Sequence, residues 1–245
     1  MKFSQVLLAA SVVMLATALG AGAVFAFKRI GSTFYAATVS VCAGVMGFSS
    51  VEMITQSHAL AGHRVAFASL LVGMAVFCAL DRLLPHAHLA LLGSEIPSAR
   101  RKTALLVGSM TLHNIPEGFA VASAFAGSPS LGWLVTLSIA LQDIPEGLVV
   151  AAPVACHGVP ARRCFLWGLL SGLAECLAAI GGFLFLSTIR PAAPWALGFS
   201  AGTMTYVVFF ELVPDAIRHE NRRLTLTAFV AGVAVAYGLS TLLGF

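Results

Sequence analysis

The sequence predicts an all-α, polytopic membrane protein of eight transmembrane helices, the fourth and fifth of them broken. Three observations carry that prediction. Of 245 residues, 59% are hydrophobic and only 10% charged, with a mean hydropathy of +0.94; soluble domains carry about a quarter charged residues. The apolar residues gather into eight runs, each able to form a helix across a hydrocarbon core that needs about 20 residues. On two consecutive runs the same proline-containing carboxylate motif occurs, as H-N-I-P-E-G from His113 and as Q-D-I-P-E-G from Gln142. Residues 1–245 read as a single transmembrane domain.

The runs cover roughly 5–27, 33–54, 65–84, 103–126, 130–154, 162–188, 194–214 and 224–244. The first resembles a secretory signal, with Lys2 before it and Ala21-Gly22-Ala23 as a small-residue cleavage site. It continues to Phe27, however, and Lys28-Arg29 follow it, so a retained span is the preferred reading. The second run sets Met46, Ser49, Ser50 and Met53 on one helical stripe, which serves either as a packed face or as a pore face. Glu52 beside it is either a ligand or a helix-packing residue. The third run ends in Asp81-Arg82, read as an interfacial ion pair, before Pro85.

The longest loop, Pro85 to Lys102, holds His86 and His88. Two histidines hold a metal weakly, and exposed loop histidines more often bind nothing. The fourth and fifth runs, joined through Gly127–Pro129, form an antiparallel hairpin. Glu175 lies in the sixth run within S-G-L-A-E-C, and Glu211 and Asp215 in the seventh within F-F-E-L-V-P-D-A. The eighth has no acidic or basic residue and reads as scaffold. Cys42, Cys78, Cys156, Cys164 and Cys176 show no paired spacing, which excludes a disulfide framework or zinc knuckle as the organising device. They read as small packing residues.

Charge placement orients the bundle. With the N-terminus outside, eleven of the 14 Lys and Arg residues fall in inside loops, leaving Lys2, Arg64 and Arg190 outside. The positive-inside rule therefore puts both termini outside. The pI near 9.0 reflects basic residues at helix ends, so no nucleic-acid partner is expected; the partners expected are the lipid bilayer and cations.

In the paired motif, His113 and Glu117 are four apart, as are Gln142 and Glu146, so each pair shares a helix face. Asn114 and Asp143 flank that face. Pro116 and Pro145 have no N–H to donate, which frees the carbonyls of Leu112 and Leu141 and bends or breaks both helices. Such a break survives in hydrocarbon where it is buried in protein or lines a cavity.

Glu52, Glu117, Asp143, Glu146, Glu175 and Glu211 fall within the runs, and Lys and Arg occur only at their ends. Each intramembrane acid costs about 2.5–3.5 kcal/mol even on the lenient insertion scale. Clustered carboxylates raise that cost unless a cation intervenes. A divalent ion relieves it, and protons replace the ion when it leaves. Imidazole with carboxylates and the amide oxygens of Asn114 and Gln142 suits zinc and its transition-metal neighbours, whereas calcium or magnesium takes oxygen alone.

Two other classes compete. A cation/proton exchanger also places carboxylates beside prolines on broken helices, although its repeats lie in separate halves of the chain. An intramembrane metalloenzyme also uses His and Glu, yet no H-E-x-x-H pattern is present.

The paired motif resembles that of the ZIP (Zrt/Irt-like) metal transporters. Further resemblances are A-G-V-M in the second run, D-R-L-L-P-H ending the third, S-G-L-A-E in the sixth and E-L-V-P-D-A in the seventh. The likeness covers nearly the whole chain and is nearest to compact bacterial members. It implies a ZIP-like bundle with both termini outside, in a bacterial inner membrane, importing zinc or related cations (Cd2+, Fe2+, Mn2+) as substrate. A homodimer is a candidate assembly. No catalytic cofactor and no enzymatic step are expected.

The resemblance also implies a binuclear centre between the fourth and fifth helices. His113, Glu117, Gln142, Glu146 and Met46 would line one metal position. Asn114, Glu117, Asp143, Glu146 and Glu175 would line the other, with Glu117 and Glu146 bridging. Glu211 and Asp215 match positions near the route through the protein. Many members carry His-Asn where this chain has Gln142-Asp143, a swap that removes an imidazole and adds a carboxylate.

Overall fold

A computed structural model describes residues 2–26, 31–92, 98–156, 159–219 and 222–242; the side chains of 84–92, 98–110, 113, 149, 152–156, 190 and 219 lie outside the described part. Every regular element described is helical. In order they are α1 (Phe3–Gly22), α2 (Ser32–Leu92), α3 (Ser98–Gly127), α4 (Pro129–Cys156), α5 (Ala161–Thr188), α6 (Ala193–Tyr206), α7 (Val213–His219) and α8 (Arg222–Leu242).

Five described stretches are long and apolar enough to cross a membrane, namely Phe3–Phe25, Ser32–Leu83, Ala161–Thr188, Ala193–Arg218 and Arg222–Leu242. Outward-facing leucines and phenylalanines such as Leu19, Phe67, Leu177 and Leu226 are exposed, as hydrocarbon solvent favours. The chain is a multi-pass membrane protein.

Two junctions deserve a physical account. The second and third runs are the two arms of α2, which bends at Gly62, where φ is +79° and ψ 170°. Only glycine enters that backbone region without a Cβ penalty, so a single residue reverses the direction that a loop would otherwise have to turn. The seventh run is α6 continued through a π-helical segment, Val207–Leu212, into α7. Pro214 has no N–H for the Phe210 carbonyl, and its ring crowds that oxygen. The ladder shifts instead to the wider spacing, with the Val213 N–H donating to the Val208 carbonyl.

The helices pack in two groups. α1, α3, α4 and α5 contact one another, as do α2, α6, α7 and α8; the groups meet chiefly where α3 faces α6 and where α2 faces α4. Without water to drive apolar surfaces together, membrane helices associate through close backbone approach at small residues. A Cβ at Gly20 would meet the Ile144 carbonyl, and one at Gly147 the Thr17 carbonyl, which locks α1 to α4. Gly44 and Gly232 do the same for α2 and α8, and Gly73 and Gly202 for α2 and α6.

The Met46, Ser49, Ser50 and Met53 stripe is fully buried. Ser49 donates to the Val45 carbonyl and Ser50 to the Met46 carbonyl, at 3.1 and 2.9 Å, so both hydroxyls are satisfied within their own helix. The stripe is a packed face. Glu52 accepts from Ser240 of α8 at 3.3 Å, a helix-packing contact. Asp81 accepts from the Tyr206 hydroxyl at 3.1 Å. The loop histidines His86 and His88 lie outside the described side chains.

Candidate metal centre

The two motifs meet because of a very short turn. α3 ends at Gly127 and α4 begins at Pro129, leaving Ser128 alone between them. Its hydroxyl accepts from the Leu131 N–H at 3.1 Å, so it caps α4, with proline at the first helical position where no donor is missed. Glu117 and Gln142 stand 11 and 14 residues either side of Ser128. At 1.5 Å per residue both lie about 16–21 Å from the turn, level with one another on neighbouring helices. The Gln142 amide Nε2 donates to Glu117 Oε1 at 2.6 Å. Helical hydrogen bonding is assigned straight through Pro116 and Pro145.

Around that bond the acids gather. Glu117, Asp143 and Glu146 each offer one carboxylate oxygen, and the three oxygens lie within 4.8 Å of one another. All three residues are buried, as are Asn114 on α3, Gln142 on α4, Glu175 on α5 and Met46 on α2. Glu175 stands against Asp143 and close to Glu146 and Glu117. Its position is fixed by Gly118, where a Cβ would run into the Glu175 carbonyl oxygen. α3 and α5 therefore touch backbone to backbone beside the acids.

The electrostatics are one-sided. The charged neighbours of Glu117, Asp143 and Glu175 among the described residues are other carboxylates and the Cys42 thiol. Two ionised carboxylates 4.8 Å apart repel by about 3.5 kcal/mol at an effective dielectric of 20. One hydrogen bond to an ionised group returns about 1.5–3 kcal/mol, so the Gln142 amide does not offset three such repulsions. Glu117 Oε2, Gln142 Oε1, both oxygens of Asp143 and both of Glu175 are buried with no hydrogen-bond partner. Donors of this hardness, converging and unsatisfied, suit a divalent cation or protons in its place.

Glu211 is half-buried on the π-helical segment and is outside the converging trio of carboxylates. Asp215 accepts from the Tyr35 hydroxyl at 2.7 Å, which ties α7 to the start of α2. The His113 side chain lies outside the described part, so its predicted place on this face rests on spacing alone. Sequence reasoning passed over Cys42, read there as packing. Its Sγ lies 3.6 Å from the Gln142 carbonyl oxygen, and its four-residue spacing from Met46 was the available signal.

Comparison with known proteins agrees in one direction. The family model described as ZIP Zinc transporter matches residues 91–240. Zinc transporter GufA of Myxococcus xanthus is 40% identical over 184 residues, covering 74% of this chain and 72% of that protein. Zinc transporter ZupT of Chlorobium luteolum is 32% identical over 258 residues, covering 96% of each chain. Zinc transporter ZIP11 of Homo sapiens is 38% identical over 154 residues, or 60% of this chain and 45% of its own. An Arabidopsis thaliana relative is 32% identical over 93% of this chain, which spans 37% of that protein's length.

Proposed function

Because the chain belongs to the ZIP zinc-transporter family, we propose that it imports divalent transition-metal ions, zinc first among them, through the carboxylate centre between α3 and α4. The observation that carries this reading is the buried convergence of Glu117, Asp143 and Glu146 with no basic neighbour. A cation passing through supplies the missing positive charge. In the proposed arrangement Met46, His113, Glu117, Gln142 and Glu146 hold one ion. Asn114, Glu117, Asp143, Glu146 and Glu175 hold a second, with Glu117 and Glu146 shared.

The eight proposed spans are α1, the two arms of α2, α3, α4, α5, α6 with α7, and α8, with the ladders of α3 and α4 broken at Pro116 and Pro145. Both termini face outside a bacterial inner membrane, and the centre is reached by alternating access. Glu211 and Asp215 stand along the exit towards the loop bearing His86 and His88. Purified protein in liposomes, loaded with a metal-sensitive dye, tests the reading directly. Zinc and cadmium influx above protein-free vesicles is expected; no influx of any divalent cation would remove the proposal.

Orientation has its own test. On a cysteine-free background, Ser98→Cys and Ser128→Cys should label oppositely with an impermeant thiol reagent, Ser128→Cys from outside intact cells. Labelling of Ser98→Cys from outside reverses the topology. His113→Ala is expected to cut zinc and cadmium influx more steeply than manganese influx, since nitrogen ligation favours the former. A common factor for all three metals would make His113 structural.

A further inference from the structure

We propose that Cys42 is a sulfur ligand at the edge of the carboxylate centre, forming with Met46 a soft face on α2 that favours thiophilic divalent cations over manganese. The proposal rests on the transport reading above and adds a residue and a selectivity to it. Cys42 and Met46 are one helical turn apart on the first arm of α2 and are both buried, so they share a face. Cys42 Sγ lies 3.6 Å from the Gln142 carbonyl oxygen, and the side chain of that same residue holds Glu117.

The surroundings separate this cysteine from a packing cysteine. Cys164, also buried, sits among Ala21, Val24, Val150 and Ala151, with its thiol turned to the Val159 carbonyl. The charged neighbours of Cys42 are instead Glu146, Glu117 and Asp143. Glu117 Oε2, Gln142 Oε1 and both Asp143 oxygens, all without hydrogen-bond partners, lie in the same space. Sγ stands outside the mutually close trio of carboxylate oxygens, so it meets a cation on the α2 side of that trio.

Thiolate and thioether donors select zinc and softer ions, whereas carboxylates and water suit manganese. On coordination a metal–sulfur bond replaces S–H, and the released proton passes to a neighbouring carboxylate. The swap of His for Gln142 removes one borderline donor from the centre; a thiol on the facing helix restores soft character there.

The experiment uses full-length protein in which Cys78, Cys156, Cys164 and Cys176 are replaced by alanine, with Cys42 kept or changed to serine. Cadmium alone is titrated in detergent while thiolate-to-cadmium charge-transfer absorption is followed in the ultraviolet. Zinc, cadmium and manganese influx are then compared in liposomes. With Cys42 present the absorption should rise to about one thiolate per chain, and Cys42→Ser should abolish it. Cys42→Ser should also cut cadmium and zinc influx about tenfold more than manganese influx, the lower end of what a partner of a metal ligand contributes to metal affinity. Serine keeps the size and the hydrogen bond to Gln142, so a purely structural role leaves the cadmium-to-manganese ratio unmoved. Absence of the absorption with Cys42 present, its persistence in Cys42→Ser, or an unchanged ratio overturns the proposal. Failure of the parent protein to take up any cation sinks the transport reading instead, while the absorption titration still decides on Cys42.

Discussion

Glu117→Ala or Glu146→Ala abolishes zinc influx into liposomes, by at least about 100-fold, whereas Asp143→Asn and Glu175→Gln leave measurable, altered transport. The difference follows from sharing. If Glu117 and Glu146 each face both ions, alanine removes a ligand from two positions at once and leaves the remaining acids without a common cation. Even partners behind a metal ligand contribute about 10–100-fold in affinity or activity, and a bridging ligand exceeds them. Gln142 would also lose the acceptor it holds at 2.6 Å in the Glu117 variant, freeing an amide buried at 1% exposure. Asparagine and glutamine keep shape and an oxygen donor at Asp143 and Glu175. Influx per mole of folded protein, checked by size-exclusion profile, is the measurement. Equal loss in all four variants would refute the two-position assignment.

Gly118→Val is expected to have the second largest effect, and through packing. A Cβ at this position lands on the Glu175 carbonyl oxygen and crowds the Ala178 methyl. These are backbone and short side-chain atoms, with no flexible end to swing aside, so α3 and α5 must separate. Overpacking of this kind typically costs about 1–3 kcal/mol and occasionally more. Separation also draws Glu175 away from Asp143, so metal binding falls with stability. Gly181, on the same α5 but with open space around its would-be Cβ, is the control: Gly181→Val should leave thermal stability in detergent little changed. A Gly118→Val melting temperature equal to that of Gly181→Val would contradict the close contact.

Much of this was legible in the residues. The apolar run at 130–154 marks α4, Pro129–Cys156, because hydropathy and helical hydrogen bonding share that segment. The runs at 33–54 and 65–84 underestimate the arms of α2, since the helix continues through polar residues such as Gln56, Ser57 and His58 up to Gly62. Hydropathy reports the part facing hydrocarbon, whereas hydrogen bonding continues past it. The i, i+4 spacing of Gln142 and Glu146 announced a shared face, and the repeated motif announced that two such faces meet. Pairings remote in sequence left no local trace. The Tyr35–Asp215 bond spans 180 residues, and the meeting of Cys42 with Gln142 spans 100. Neither has a period or a motif to reveal it; both arise from how α2 lies across its neighbours.

The π-helical segment carries a consequence of a different kind. A π turn is an α-helix holding one residue more than its length allows, retained because Pro214 stops the ladder from closing. Each α-helical residue turns the chain by about 100°. Deleting one residue from Val207–Leu212 would restore the ordinary winding and rotate everything after it by that angle, carrying Asp215 away from Tyr35 and Ala216 out of its contact with Val39. Insertions and deletions here are therefore not length changes but rotations. Among relatives of this chain, the number of residues between the tyrosine at 206 and the proline at 214 sets which side of the seventh span looks inward.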